Sequence, residues 1–110
     1  MAQDSVTILQ GESRLITMYL SAGAGTVSAT NPTFTLWDPT KTIVTGYDHV
    51  PATADPAAAI VKVQYLLDTT GLAAGSYYAL LKASATTSAD GITQNREYDY
   101  AVYIQRVPDL

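Results

Sequence analysis

Residues 67–83 read LDTTGLAAGSYYALLKA, a short turn followed by a run that alternates between two faces. The aspartate and threonine are residue types that hydrogen-bond nearby backbone groups, and the two glycines permit a positive φ. The leucine between the glycines can anchor the turn in a core, and the first tyrosine can bury its ring while its hydroxyl reaches back to a turn carbonyl. We therefore predict a tyrosine corner that carries the chain between two sheets. It consists of Asp68, Gly71, Leu72, Gly75 and Tyr77.

Short alternating runs separated by turn-forming residues recur on both sides of this corner, as is typical of an all-β protein. The candidate strands are residues 6–10, 14–20, 33–37, 41–46, 60–67, 76–83 and 96–105. Residues 33–46 form a predicted hairpin around an Asp-Pro turn, and Asp90-Gly91 is the predicted tip of a longer hairpin. Residues 21–32 are predicted as a flexible loop and 47–58 as an exposed connection. We predict one immunoglobulin-like antiparallel β-sandwich of about seven strands over residues 1–110.

The composition excludes several classes of partner. The chain of 110 residues has a net charge of −4 and only six basic residues, which are scattered, so nucleic acid and membrane binding are not expected. It has no cysteine, hence no disulfide and no thiolate metal site. Neither a signal peptide nor a membrane-spanning segment is visible, so we expect synthesis in a cytoplasm.

No constellation of residues predicts an enzyme. His49 is the only histidine and lies in the proline-bearing connection without partners for a triad or a histidine metal site. The acidic residues lie mostly singly in turns and match no calcium-binding loop motif. We therefore predict no catalytic residues, no cofactor and no metal ligands, with calcium held between loops as an open alternative.

Aromatic residues are the remaining candidates for function. By strand alternation, five of them lie away from the predicted core, where exposed aromatic rings often mark sugar-binding platforms or protein interfaces. In the alternative interpretation several of them belong to the core, Trp37 first among them. The candidate interface residues are Trp37, Tyr19, Tyr47, Tyr78 and Tyr103.

The segments TFTLWDPTKTIVTG (33–46) and LDTTGLAAGSYYALLKA (67–83), with the tyrosine-rich last strand, resemble a known group of proteins. They are similar to the immunoglobulin-like structural proteins of tailed bacteriophages, over about residues 6–106. That resemblance implies a non-enzymatic virion protein, made in the host cytoplasm and present in multiple copies. Its partners would be capsid, neck or tail subunits, bound through strand edges and exposed aromatics. The alternative is a carbohydrate- or cell-surface-binding module of a bacterial protein.

Overall fold

The chain folds into two β-sheets packed face to face. The computed structural model describes residues 4–106, so residues 1–3 and 107–110 of the predicted domain lie outside the described part. The strands are β1 (Asp4–Leu9), β2 (Ser13–Ser21), β3 (Val27–Trp37), β4 (Val50–Pro51), β5 (Thr53–Ala54), β6 (Ile60–Asp68), β7 (Gly75–Thr87) and β8 (Thr93–Gln105). The predicted all-β sandwich is confirmed, with eight strands where about seven were expected. Within residues 4–106 no helix is long and apolar enough to cross a membrane.

The larger sheet has the strand order β1-β8-β7-β3-β4 and the smaller one β2-β6-β5. All strand pairs among the described residues are antiparallel except one. In that pair β1 runs parallel to β8, with Asp4 opposite Tyr100 and Leu9 opposite Gln105. β7 and β8 have 13 residues each and join at the predicted Asp90-Gly91 turn. Since β2 and β6 have only nine residues each, this hairpin reaches beyond the smaller sheet.

The inner faces of the two sheets meet in one hydrophobic core, as the period-two alternation predicts. In β7, for example, Tyr77, Ala79, Leu81 and Ala83 are buried while the residues between them are only partly covered. The other buried apolar residues are Ile8, Ile16, Met18, Leu20, Val27, Phe34, Leu36, Val61, Val63, Leu67, Leu72, Ala85, Val102 and Ile104. Among the described residues, every buried side-chain nitrogen or oxygen has a hydrogen-bond partner.

The predicted corner joins β6 of the smaller sheet to β7 of the larger one. The Tyr77 hydroxyl donates a hydrogen bond to the Ala73 carbonyl at 2.8 Å, as predicted. Thr69 is fully buried, and its hydroxyl donates to the Glu12 carbonyl at 2.7 Å and accepts from the Gly11 amide at 2.8 Å. The corner therefore also holds the β1–β2 turn in place.

The structure differs from the prediction in one loop and in one strand. Residues 27–32, predicted as part of a loop, belong to β3, because a bulge between Thr30 and Thr33 places Asn31 at a φ of 51° and keeps the strand paired with β7. Residues 41–46 do return beside β3, but only through an isolated bridge between Trp37 and Ile43, so they do not form a regular strand. A second tight turn ends at Tyr47, and β4 within the predicted exposed connection takes the place beside β3.

Candidate functional site

The predicted interface residues lie in three separate places. Tyr19 lies on the outer face of the smaller sheet, and Tyr78 and Tyr103 project from the outer face of the larger sheet. Trp37 is directly opposite Tyr78 in the sheet, so it also lies on that outer face rather than in the core. Tyr47 is turned inward. The five aromatics therefore do not form one surface.

The outer face of the smaller sheet exposes four large apolar side chains. We call this surface the small-sheet face and define it by the outward residues of β2 and β6. Leu15, Tyr19, Ile60 and Leu66 are between 53% and 66% exposed. Leu15 is opposite Leu66 and Tyr19 opposite Lys62. Within these two described strands the charged outward residues are Lys62 and, at the end of β6, Asp68. Exposed apolar side chains with so little charge among them are typical of an interaction surface.

The side of the sandwich next to β2 has open strand edges. β2 is an edge strand, and the register of β1 begins opposite Tyr100, so residues 93–99 of β8 have no strand on their outer side within the described chain. Between these edges lies a cleft of about 370 Å³ lined by residues such as Val6, Ile16 and Tyr98. The Tyr100 hydroxyl crosses it and donates to the Thr17 carbonyl. Backbone groups at such an edge can pair with a strand of another chain.

The outer face of the larger sheet carries an aromatic depression, which we define as the space lined by Trp37, Asp38, Lys41 and Tyr78. Its volume is about 370 Å³. The rings of Trp37 and Tyr78 are tilted by 47° with centroids 5.4 Å apart, and both side chains are half-buried. The depression thus combines two aromatic rings with one carboxylate and one ammonium group.

The two charged residues of the depression are fixed by the turn that follows β3. One Asp38 carboxylate oxygen accepts hydrogen bonds from the backbone N–H groups of Thr40 at 2.9 Å and Thr42 at 3.0 Å, and from the Thr40 hydroxyl at 2.6 Å. The hydrogen bonds from the Thr40 side chain and the Thr42 backbone lower the pKa of Asp38. Lys41 closes the turn by donating its amide to the Asp38 carbonyl at 2.9 Å. The carboxylate is therefore oriented before any ligand arrives.

The surroundings of Tyr78 raise the pKa of its hydroxyl. Burial, together with the hydrogen bond to the Asp99 carboxylate, raises the pKa of Tyr78 to about 12. Asp99 and Tyr78 are diagonal neighbours on adjacent strands, since Tyr78 is opposite Ala101 in the register. The phenol is therefore neutral at physiological pH.

Tyr47 belongs to the core, which corrects the face assigned to it by alternation. Its ring packs edge-on against Phe34 and Tyr65, with centroids 6.4 Å away from each. Its hydroxyl donates to the Asp68 carbonyl at 3.1 Å, at the start of the corner. Alternation failed here because residues 41–46 are not a regular strand.

The described residues contain no cluster of three or more histidine, aspartate or glutamate side chains that could hold a metal ion. His49 lies on the surface, and its Nδ1 is 2.6 Å from Oδ1 of the neighbouring Asp48. This pair has no further titratable partner in the described ion pairs. The arrangement gives no basis for deriving a catalytic step.

The sequence analysis missed residues of both surfaces. Leu15, Ile60 and Leu66 belong to the small-sheet face, and the signal for them was present, because β2 and β6 carry apolar residues at both alternating positions. Asp38 was assigned to a turn only, and Lys41 to the predicted strand 41–46. Their place beside Trp37 and Tyr78 follows from the pairing of β3 with β7, which the sequence does not specify.

Comparison with known proteins gives a fold and no family. No family model matches the chain, and no curated protein matches it. Among solved structures it is similar to a family 123 glycoside hydrolase from Clostridium perfringens, with a TM-score of 0.54 and 9% identity over 94% of this chain. The chain spans only 23% of that hydrolase, and the likeness is one of fold alone. The CooA pilin subunit of enterotoxigenic Escherichia coli has 12% identity and a TM-score of 0.42, over 94% of this chain and 92% of the pilin, which is too weak to support an inference.

Proposed function

We propose that the protein is a non-enzymatic structural subunit of a bacteriophage virion. In this role it binds capsid, neck or tail subunits through the small-sheet face and the adjoining β2 edge. The observation that carries the proposal is the exposure of Leu15, Tyr19, Ile60 and Leu66 on one face. Among the outward residues of the described β2 and β6 strands, only Lys62 and the strand-end Asp68 are charged. The assignment to a virion rests on the resemblance of residues 33–46 and 67–83 to phage structural proteins.

The size of the small-sheet face favours assembly in many copies. Full burial of a large apolar side chain contributes roughly 1.5–3 kcal/mol, so four half-covered ones would contribute about 4 kcal/mol in total. Even before the entropic cost of docking is subtracted, a free energy of that size corresponds to a dissociation constant of only about 1 mM. One docked copy would therefore bind weakly, and firm attachment would come from repeated contacts on a ring or lattice.

The β2 edge supplies the geometric specificity that an apolar face lacks. Nine residues of β2 have β6 on one side only, and hydrogen bonds along such an edge fix the register and direction of a partner strand. Arg14 covers part of this edge by donating to the Thr7 carbonyl at 3.2 Å. An exposed arginine can turn away without loss of the core, so the edge is open to a partner.

The test is to isolate particles from the cells that carry the gene. Phage production is induced, particles are banded by density, and peptides of this chain are quantified against the major capsid protein. We expect the chain in the particle band at a constant ratio. Its absence from particles, or an absence of particles, would contradict the proposal.

A pair of variants locates the docking surface. Tyr19→Ala removes an exposed ring from the small-sheet face and should lower the amount of this chain in particles several-fold. Trp37→Ala, on the opposite face of the sandwich, should leave it unchanged. Circular dichroism of both purified variants controls for folding. Equal incorporation of the Tyr19→Ala variant and the wild type would refute docking through this face.

A further inference from the structure

The aromatic depression lies on the side of the sandwich opposite the small-sheet face, so the assembly role leaves it unused. Its base is formed by Trp37 and Tyr78, half-buried and directly opposite each other on adjacent strands. Asp38 and Lys41 complete its lining. A volume of about 370 Å³ is in the range of small-molecule sites and much smaller than a protein interface requires.

Lys41 has a backbone conformation that is unfavourable for a lysine. Lys41 has a φ of 66°, in the left-handed region that a glycine or asparagine would normally occupy in such a turn. Unlike asparagine, lysine has no short polar side chain that could offset this conformation by bonding its own turn, and strained positions of this kind concentrate at binding sites. This strained turn places the Lys41 side chain at the depression.

The ammonium group of Lys41 is available to a ligand. Lys41 is exposed and takes part in neither the ion pair of His49 with Asp48 nor that of Lys82 with Glu97. On the neighbouring Asp38, the hydrogen bonds within the turn all go to one carboxylate oxygen, Oδ1. The second oxygen is left as an acceptor in the depression that Lys41 also lines.

We propose that the aromatic depression binds a hexopyranose residue of a glycan. One face of a pyranose ring presents C–H groups that pack on the faces of Trp37 and Tyr78, while its hydroxyls need both a donor and an acceptor at the rim. Lys41 donates and Asp38 accepts. An isolated anion such as a phosphate fits less well, because the Asp38 carboxylate would repel it.

The glycan site requires little reorganisation. The rings of Trp37 and Tyr78 contact each other, and the Asp38 carboxylate is anchored by its turn, so few rotamers are lost on binding. A virion subunit with this site would display a sugar-binding surface outward while its other face is docked. The proposal does not depend on that role, because the two faces use different residues.

The first test measures sugar binding directly. Saturation-transfer NMR with a panel of methyl hexopyranosides and disaccharides, followed by a glycan array, identifies any sugar bound by the purified protein. We expect binding of at least one member, weakened at least tenfold by Trp37→Ala and unchanged by Tyr19→Ala. No binding by the whole panel and array, or equal losses in both variants, would overturn the proposal.

The second test separates binding from stability. Lys41→Gly relieves the positive φ, so the variant should melt at the same or a higher temperature than the wild type. It also removes the ammonium donor, so we expect its affinity for the identified sugar to fall several-fold. An affinity equal to that of the wild type would contradict the role of Lys41 in the site. The result is interpretable even if Trp37→Ala folds poorly.

Discussion

Removal of the Tyr77 hydroxyl tests the corner that joins the two sheets. In Tyr77→Phe the ring, which is 9% exposed, keeps its packing, while the 2.8 Å hydrogen bond to the Ala73 carbonyl is lost. A hydrogen bond of this kind contributes about 1 kcal/mol net to stability. Ala73 is exposed, so water can replace the lost donor, and we expect a loss close to that average rather than the larger penalty of a buried orphan.

The loss is measurable by urea denaturation followed by Trp37 fluorescence and circular dichroism. A change of about 1 kcal/mol lowers the melting temperature of a domain of this size by roughly 4 °C. The slope of the transition should not change, because the same surface is exposed on unfolding. The control is Tyr103→Phe, since Tyr103 is 47% exposed and should lose almost nothing. If both variants unfold at the same urea concentration, the hydroxyl does not stabilise the corner.

Three further predictions follow from contacts elsewhere in the fold. Thr69→Val removes a fully buried hydroxyl with several partners and should cost about 2 kcal/mol of unfolding free energy in urea denaturation. Thr45→Val, at an exposed threonine outside the corner, should cost almost none, and equal effects would contradict this. Asp99→Asn should lower the pKa of Tyr78 from about 12 while burial still keeps it above 10, as read from ¹³C-labelled tyrosine NMR; an unchanged value would exclude the hydrogen bond. The pKa of Asp38 is lowered in the folded protein, so the stability that this carboxylate contributes is present above pH 4 and is lost as the pH falls through the lowered pKa. In Asp38→Asn the unfolding free energy should therefore fall less steeply below pH 4 than in the wild type. Identical slopes of unfolding free energy against pH in that range would refute this.

The sequence was sufficient to predict the elements whose alternation is regular. In β7 the buried residues Tyr77, Ala79 and Leu81 are the ones that the pattern assigns to the core, because one face of that strand packs against the other sheet along its whole length. The corner could also be predicted, since its glycines and its tyrosine hydroxyl act within a few residues of one another. Local chemistry determined both features.

The predictions that failed concern features that depend on contacts between distant segments. The Asn31-Pro32 pair normally ends a strand, but pairing with β7 on both sides of the bulge keeps it within β3. Residues 41–46 have strand-like composition, yet Gly46 adopts a φ of 89° and the chain turns toward the core at Tyr47. Likewise, only the pairing of β3 with β7 brings Lys41 to the side of Tyr78.

Site-specific photo-crosslinking in assembled particles tests the docking surface most directly. A photoreactive phenylalanine analogue replaces Tyr19 on the small-sheet face or, as the control, Tyr103 on the outer face of the larger sheet; both positions are exposed. After irradiation of purified particles, we expect position 19 to cross-link to another virion subunit and position 103 to give little or no product. Cross-linking from position 103 alone, or from neither position, would contradict assembly through the small-sheet face.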